Sequence, residues 1–129
     1  MTVTYVIEGS EVTGLERFWE VIGEAVNGPG GYFGRNLDAF ADCLSGGMGT
    51  PDDEDFVIEW RDHTRSAEAL GHPETARYLR RLAQRAHPTS RIRLQAELGE
   101  ALAGRGPTLF DRLVEIIRER AGPDALRLM

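Results

Sequence analysis

The chain has 129 residues, 41% of them hydrophobic, and a formal net charge of −6 at pH 7. That length suits one domain with one core, and no run of about 18 apolar residues offers a membrane span. A single cysteine, Cys43, excludes an internal disulfide and a CxxC redox or zinc centre, and with no basic, apolar leader visible the expected compartment is the cytoplasm.

The charge is unevenly placed. Residues 1–62 hold 13 of the 21 acids and only Arg17, Arg35 and Arg61, a balance of −10, whereas residues 63–129 hold 8 acids and 12 arginines, a balance of +4. An acidic half repels nucleic acid and steers a cationic protein toward itself, so the expected partner is basic. All 15 basic residues are arginine, which reads as base composition rather than chemistry.

Thr2 to Glu8 is a β-branched and aromatic run closed by Gly9 and Ser10, which predicts a strand. Leu15, Phe18, Trp19, Ile22 and Val26 then recur at helical spacing, so residues about 13–26 form an amphipathic helix that ends at Asn27-Gly28-Pro29, with Trp19 in its core face. After the loop Gly28 to Gly31, Leu37, Phe40, Ala41 and Leu44 make the apolar stripe of a short helix with Asn36 as N-cap and Gly46 or Gly47 as its stop.

Asp38 and Asp42 fall on the solvent flank of that short helix. Like charges four residues apart destabilise a helix by roughly 0.2–0.5 kcal/mol. Asp38 lies in the first turn, where the helix dipole favours an acid; Asp42 lies in the last turn, where the dipole disfavours one. Its placement works against local stability and points to use by something outside the chain.

Phe56 to Trp60 predicts a second strand, apolar enough to be central in a sheet. Thr64 to Leu70 predicts a short helix, and Glu74 to Ala86 a longer one with Leu79, Leu82, Ala83 and Ala86 inward and Arg77, Arg80, Arg81 and Arg85 outward. Residues 89–103 read as helix through Leu94, Leu98 and Leu102, although Arg91-Ile92-Arg93-Leu94 also alternates as a strand does. Thr108 caps a last helix with a wide apolar face of Leu109, Phe110, Leu113, Val114, Ile116 and Ile117, and Ala125 to Met129 predicts a third strand. Strands separated by helices argue for an α/β fold with a parallel sheet.

Chemistry of other kinds finds little support. The glycine-rich loop before Tyr32 follows a helix, has no lysine and feeds two aspartates, so it lacks the makings of a phosphate cradle. His63, His72 and His87 show no metal-ligand spacing. Glu59 and His63 are the one acid and base pair to weigh for RNA cleavage, and each reads more simply as a polar strand end or helix start. The expectation is a protein that is not an enzyme, with no cofactor, metal, nucleic acid, membrane or small-molecule substrate.

The segment Tyr32-Phe33-Gly34-Arg35-Asn36-Leu37-Asp38-Ala39-Phe40-Ala41-Asp42-Cys43-Leu44-Ser45-Gly46, followed by Val57-Ile58-Glu59-Trp60-Arg61, resembles the barstar family of intracellular inhibitors of secreted bacterial ribonucleases. The likeness covers residues 1–70 best, and Thr108 to Met129 is similar to the family's last helix and strand. It implies a barstar-like α/β fold, a three-stranded parallel sheet covered by helices, with an extra helical segment around residues 72–106. It further implies a 1:1 complex in which the short helix and its leading loop plug the active site of a guanyl-preferring ribonuclease. By the same resemblance Asp42 takes the place of the scissile phosphate, Asp38 meets an enzyme arginine, and Tyr32 packs on the catalytic histidine. Phe33, Gly34, Asn36, Ala41, Ser45 and Gly46 complete the contact surface, and Glu115 is the nearest counterpart of the family's acid on the last helix. The chain departs from the family's type member in having Ala41 for a tryptophan, Arg35 for a glutamate and a longer loop from Gly47 to Asp55, which points to a divergent target. A second reading keeps the fold and docks a basic partner that is not a nuclease.

Overall fold

Side chains alternate across a strand, and that alternation sets the inner face of the sheet. In the computed structural model, which describes residues 2–52 and 54–129, β1 (Val3–Glu8), β2 (Phe56–Arg61) and β3 (Leu126–Leu128) form one parallel sheet in the order β1-β2-β3. Val3 sits opposite Phe56, and Ile58 opposite Leu126. The central strand is β2, and its Ile58 and Trp60 are fully buried, as expected of a strand paired on both sides. Ile7, Ile58, Trp60 and Leu126 enter the main core, while Glu59 points to the opposite face, where Arg61 and Arg127 close on it.

Among the described residues six α-helices join the strands: α1 (Leu15–Asn27), α2 (Leu37–Leu44), α3 (His63–Ala69), α4 (His72–Arg85), α5 (Pro88–Leu102) and α6 (Leu109–Ala121). None of them is long and apolar enough to cross a membrane. The ends follow local chemistry. Thr108 and Asp111 cap α6 reciprocally, each side chain bonding the other's backbone N–H. Residues 88–102 are helix rather than strand, because Leu94 and Ala101 are buried against α4.

Two cores result. The main one is aromatic: Phe18, Trp19, Phe33, Phe40 and Trp60 pack ring on ring, with Phe18 5.2 Å from Trp60 and 5.5 Å from Phe40 between centroids. The smaller one holds α4 to α5 through Ala76, Leu79, Ala83, Leu94 and Ala101, with Tyr78 bordering both cores. Leu102, which shares the apolar register of Leu94 and Leu98, is 62% exposed at the last residue of α5.

Candidate functional site

α2 owes its position to the glycine loop ahead of it. Gly34 has φ +93°, and a Cβ there would lie 2.6 Å from the Phe40 amide nitrogen, so only glycine lets the loop close on the helix. Gly23 on α1 likewise meets the Gly31 carbonyl with no room for a side chain. Asn36 then starts α2, its side-chain oxygen accepting from the Ala39 N–H at 2.8 Å.

The apolar side of α2 is sealed. Phe40, Ala41, Cys43 and Leu44 are buried, and burial followed by the nearby Asp42 charge pushes the Cys43 thiol up from its ordinary pKa. Asp38 and Asp42 are both exposed on the other flank, and Tyr32 is 43% exposed beside them in sequence. Asn36, Ser45, Gly46 and Glu115 are exposed as well.

Three residues that the resemblance assigns to the contact surface are buried in the free chain. Phe33 is fully buried, edge-on to Phe40 with centroids 5.9 Å apart, so it holds the loop from beneath. Gly34 is buried under the loop, and Ala41 is 7% exposed on the core side of α2. The aromatic pair splits its work: Phe33 anchors and Tyr32 presents.

Two further residues shape this surface without having been marked by the sequence. Asn27, the last residue of α1, donates through Nδ2 to the carbonyls of Tyr32 and Met48, each at 2.8 Å, and so ties the loops on either side of α2 together. Its acceptors are backbone atoms 5 and 21 residues on, which no local pattern signals. Arg120 of α6 donates to Ser45 Oγ at 3.3 Å, while Ser45 Oγ donates to the Ala41 carbonyl at 3.2 Å. A cation at that end of α2 offsets the dipole that Asp42 opposes. Glu115 instead borders a groove with Phe110, Val114 and Leu128, and among the described residues Arg120 is the α6 side chain hydrogen-bonded to α2's C-terminal end.

Beside the loop, a cleft of about 520 Å³ runs between Tyr32, Gly34 and Arg35 on one side and Glu16, Glu20 and Glu24 of α1 on the other, with Trp19 in its lining. The acidic surface therefore extends beyond α2. Glu59 and His63 are not brought together as an acid and base pair: Glu59 is held by Arg61 at 2.8 Å, and His63 Nδ1 lies 2.9 Å from the Met129 carbonyl.

A parallel three-stranded sheet with an aromatic core, presenting an acid-bearing helix behind a tight glycine loop, defines a small α/β protein whose acids lie on an exposed helix flank. The family model for barstar, described as the barnase inhibitor, matches residues 2–97, and the chain belongs to the barstar family. The match extends past the Glu59-Trp60-Arg61 strand end through α4 and into α5, so most of residues 72–106 lies inside it, and α6 and β3 lie beyond it. No curated protein matches the sequence.

Proposed function

We propose that the protein is an intracellular inhibitor of a secreted bacterial ribonuclease of the guanyl-preferring type, which it plugs one to one with α2 and the loop before it. The observation that carries the reading is Asp42: an exposed carboxylate in the last turn of α2, where it weakens the helix, on the same flank as Asp38 and behind a loop that exposes Tyr32. Family membership supports the same assignment.

The chemistry is that of a phosphate mimic. An enzyme that cleaves RNA holds the scissile phosphate with cationic donors, and a carboxylate accepts the same charge-assisted hydrogen bonds. Once water is excluded, each bond strengthens, and removing one partner leaves a buried charge unpaired. Tyr32 supplies a rigid aromatic anchor, and the glutamates of α1 extend the negative field that guides a basic enzyme in.

Titration against a panel of microbial ribonucleases, read by RNA cleavage, tests the proposal. A cognate enzyme is inhibited by the native chain, and Asp42→Ala weakens inhibition by more than about 2 kcal/mol, roughly 30-fold. An unchanged inhibition constant for that variant removes Asp42 from its role. Association slows as salt rises, because the steering charges are exposed; an on-rate indifferent to salt counts against the acidic surface.

A further inference from the structure

The α4–α5 hairpin carries charge of the opposite sign to the rest of the chain. Residues 72–106 contain seven arginines and three glutamates, +4, against eight arginines and 18 acids elsewhere, −10. The overall acidity that argues against nucleic acid averages over these two regions, and screening separates them beyond about 10 Å at ordinary ionic strength.

The arginines line a continuous track. Between α4 and α5 a groove of about 430 Å³ is walled by Arg80, Gln84, Arg91 and Gln95 over a floor of Ala83 and Leu98. Gln84 is shared with an adjoining cleft lined by Arg81 and Arg85, and Arg85 with a third that reaches Arg35. Arg77 and Arg81 are taken up by Glu16. Among the described residues Arg35, Arg80 and Arg85 make no ion pair, and Arg91 bonds only the Ala86 carbonyl, at 3.2 Å. Hydrogen-bonding groups thus line a surface about two turns of α4 long, some 12 Å.

We infer that this track binds the phosphodiester backbone of single-stranded nucleic acid. Three features select that occupant. The α4–α5 groove itself has no aromatic side chain, so it offers no pocket for a free nucleotide, and Trp19 and Tyr78 enter only the third cleft, where the track reaches Arg35. Its apolar floor is one alanine and one leucine, without the aromatic or methionine anchors that the buried centre of a protein interface uses. Its cations are strung along a line, which suits successive phosphates. Recognition is then through charge alone, independent of sequence and strongly dependent on salt.

The test is fluorescence anisotropy of a labelled oligo-uridine strand of about 12 nucleotides with the full chain, between about 20 and 200 mM salt. With Arg80, Arg85 and Arg91 each meeting a phosphate, log affinity falls against log salt with a slope of about −2. In the Arg80→Ala, Arg91→Ala double variant the slope falls to about −0.7, with an unchanged melting temperature and unchanged ribonuclease inhibition. Asp42→Ala retains binding to the strand, so this result and the inhibition result fail independently. Absence of salt-dependent binding, or a double variant that binds like the native chain, overturns the inference. So does tighter binding of a glutamate homopeptide of equal charge, which assigns the groove to an acidic protein. Displacement by ATP at a lower concentration than by unlabelled strand does the same, assigning it to a free nucleotide.

Discussion

The sheet-bearing body and the α4–α5 hairpin solve the same problem with different materials. The body buries five large aromatic rings, Phe40 among them, whereas the hairpin closes over three alanines and two leucines and leaves Ile92 79% exposed. Aromatic rings contribute more buried area and orientation-dependent contacts, so the body is the stiffer of the two. α2 stands on the stiff region: Phe33 and Phe40 fix it from below and Asn27 ties the loops beside it. The surface proposed to enter an enzyme's active site is thus carried where its geometry costs least to hold, and the basic face lies on the smaller core.

The contrast is broken most strongly at Phe40. Phe40→Ala removes the ring that touches Phe18, Trp19 and Phe33, and costs about 3–5 kcal/mol of stability by denaturant unfolding, with inhibition lost alongside. Asp42→Ala is expected to do the reverse. It takes more than about 2 kcal/mol from inhibition and leaves stability unchanged or raised by a few tenths of about 1 kcal/mol, since an acid leaves the negative end of α2. A melting temperature that falls with the affinity would mean that Asp42 holds the fold. Leu79→Ala, in the centre of the hairpin core, costs about 2 kcal/mol and leaves inhibition intact. If inhibition falls with it, the hairpin supports α2 after all.

What the sequence made legible follows from how local each signal is. The N-cap at Asn36, the cap at Thr108, the parallel strands and the exposed flank of Asp38 and Asp42 depend on residues within a turn or two of each other. Burial depends on what covers a face, so Phe33, which the resemblance carries to the contact surface, lies beneath the loop, and Leu102, on the apolar register of α5, is exposed, whereas Ala41 is buried as its place on the α2 stripe predicts. The position of Glu115 depends on how α6 is rotated against α2, which its own periodicity leaves open. Asn27 and Glu74 act through partners distant in sequence and carry no pattern at all.

Glu74 is where the two regions are joined, and it gives the mildest break. Gly14 precedes α1 without a side chain to cap it, and Glu74 of α4 supplies the missing acceptor, taking the Leu15 N–H at 2.8 Å. Arg77 Nε donates to the same carboxylate at 2.7 Å, and Arg77 and Arg81 both reach Glu16 on α1. The bond from Arg77 is the chief reason that the Glu74 carboxyl is held below 4.5, with the Leu15 amide adding to it and burial opposing. A carboxyl depressed in the folded state stabilises the fold fully above its unfolded value of about 4.3 and loses that contribution as pH falls through the lower folded value. Glu16 is depressed in the same direction, chiefly by its bond from Arg77, but its exposure leaves it a smaller share. Glu74→Gln therefore costs about 1 kcal/mol at neutral pH, and the gap from the native chain narrows as pH falls through the depressed folded value, below which Glu74 is protonated in both states. Thermal unfolding of the two chains at neutral and acid pH measures the gap; a difference that stays constant would show that the carboxylate's charge does not join the hairpin to the body.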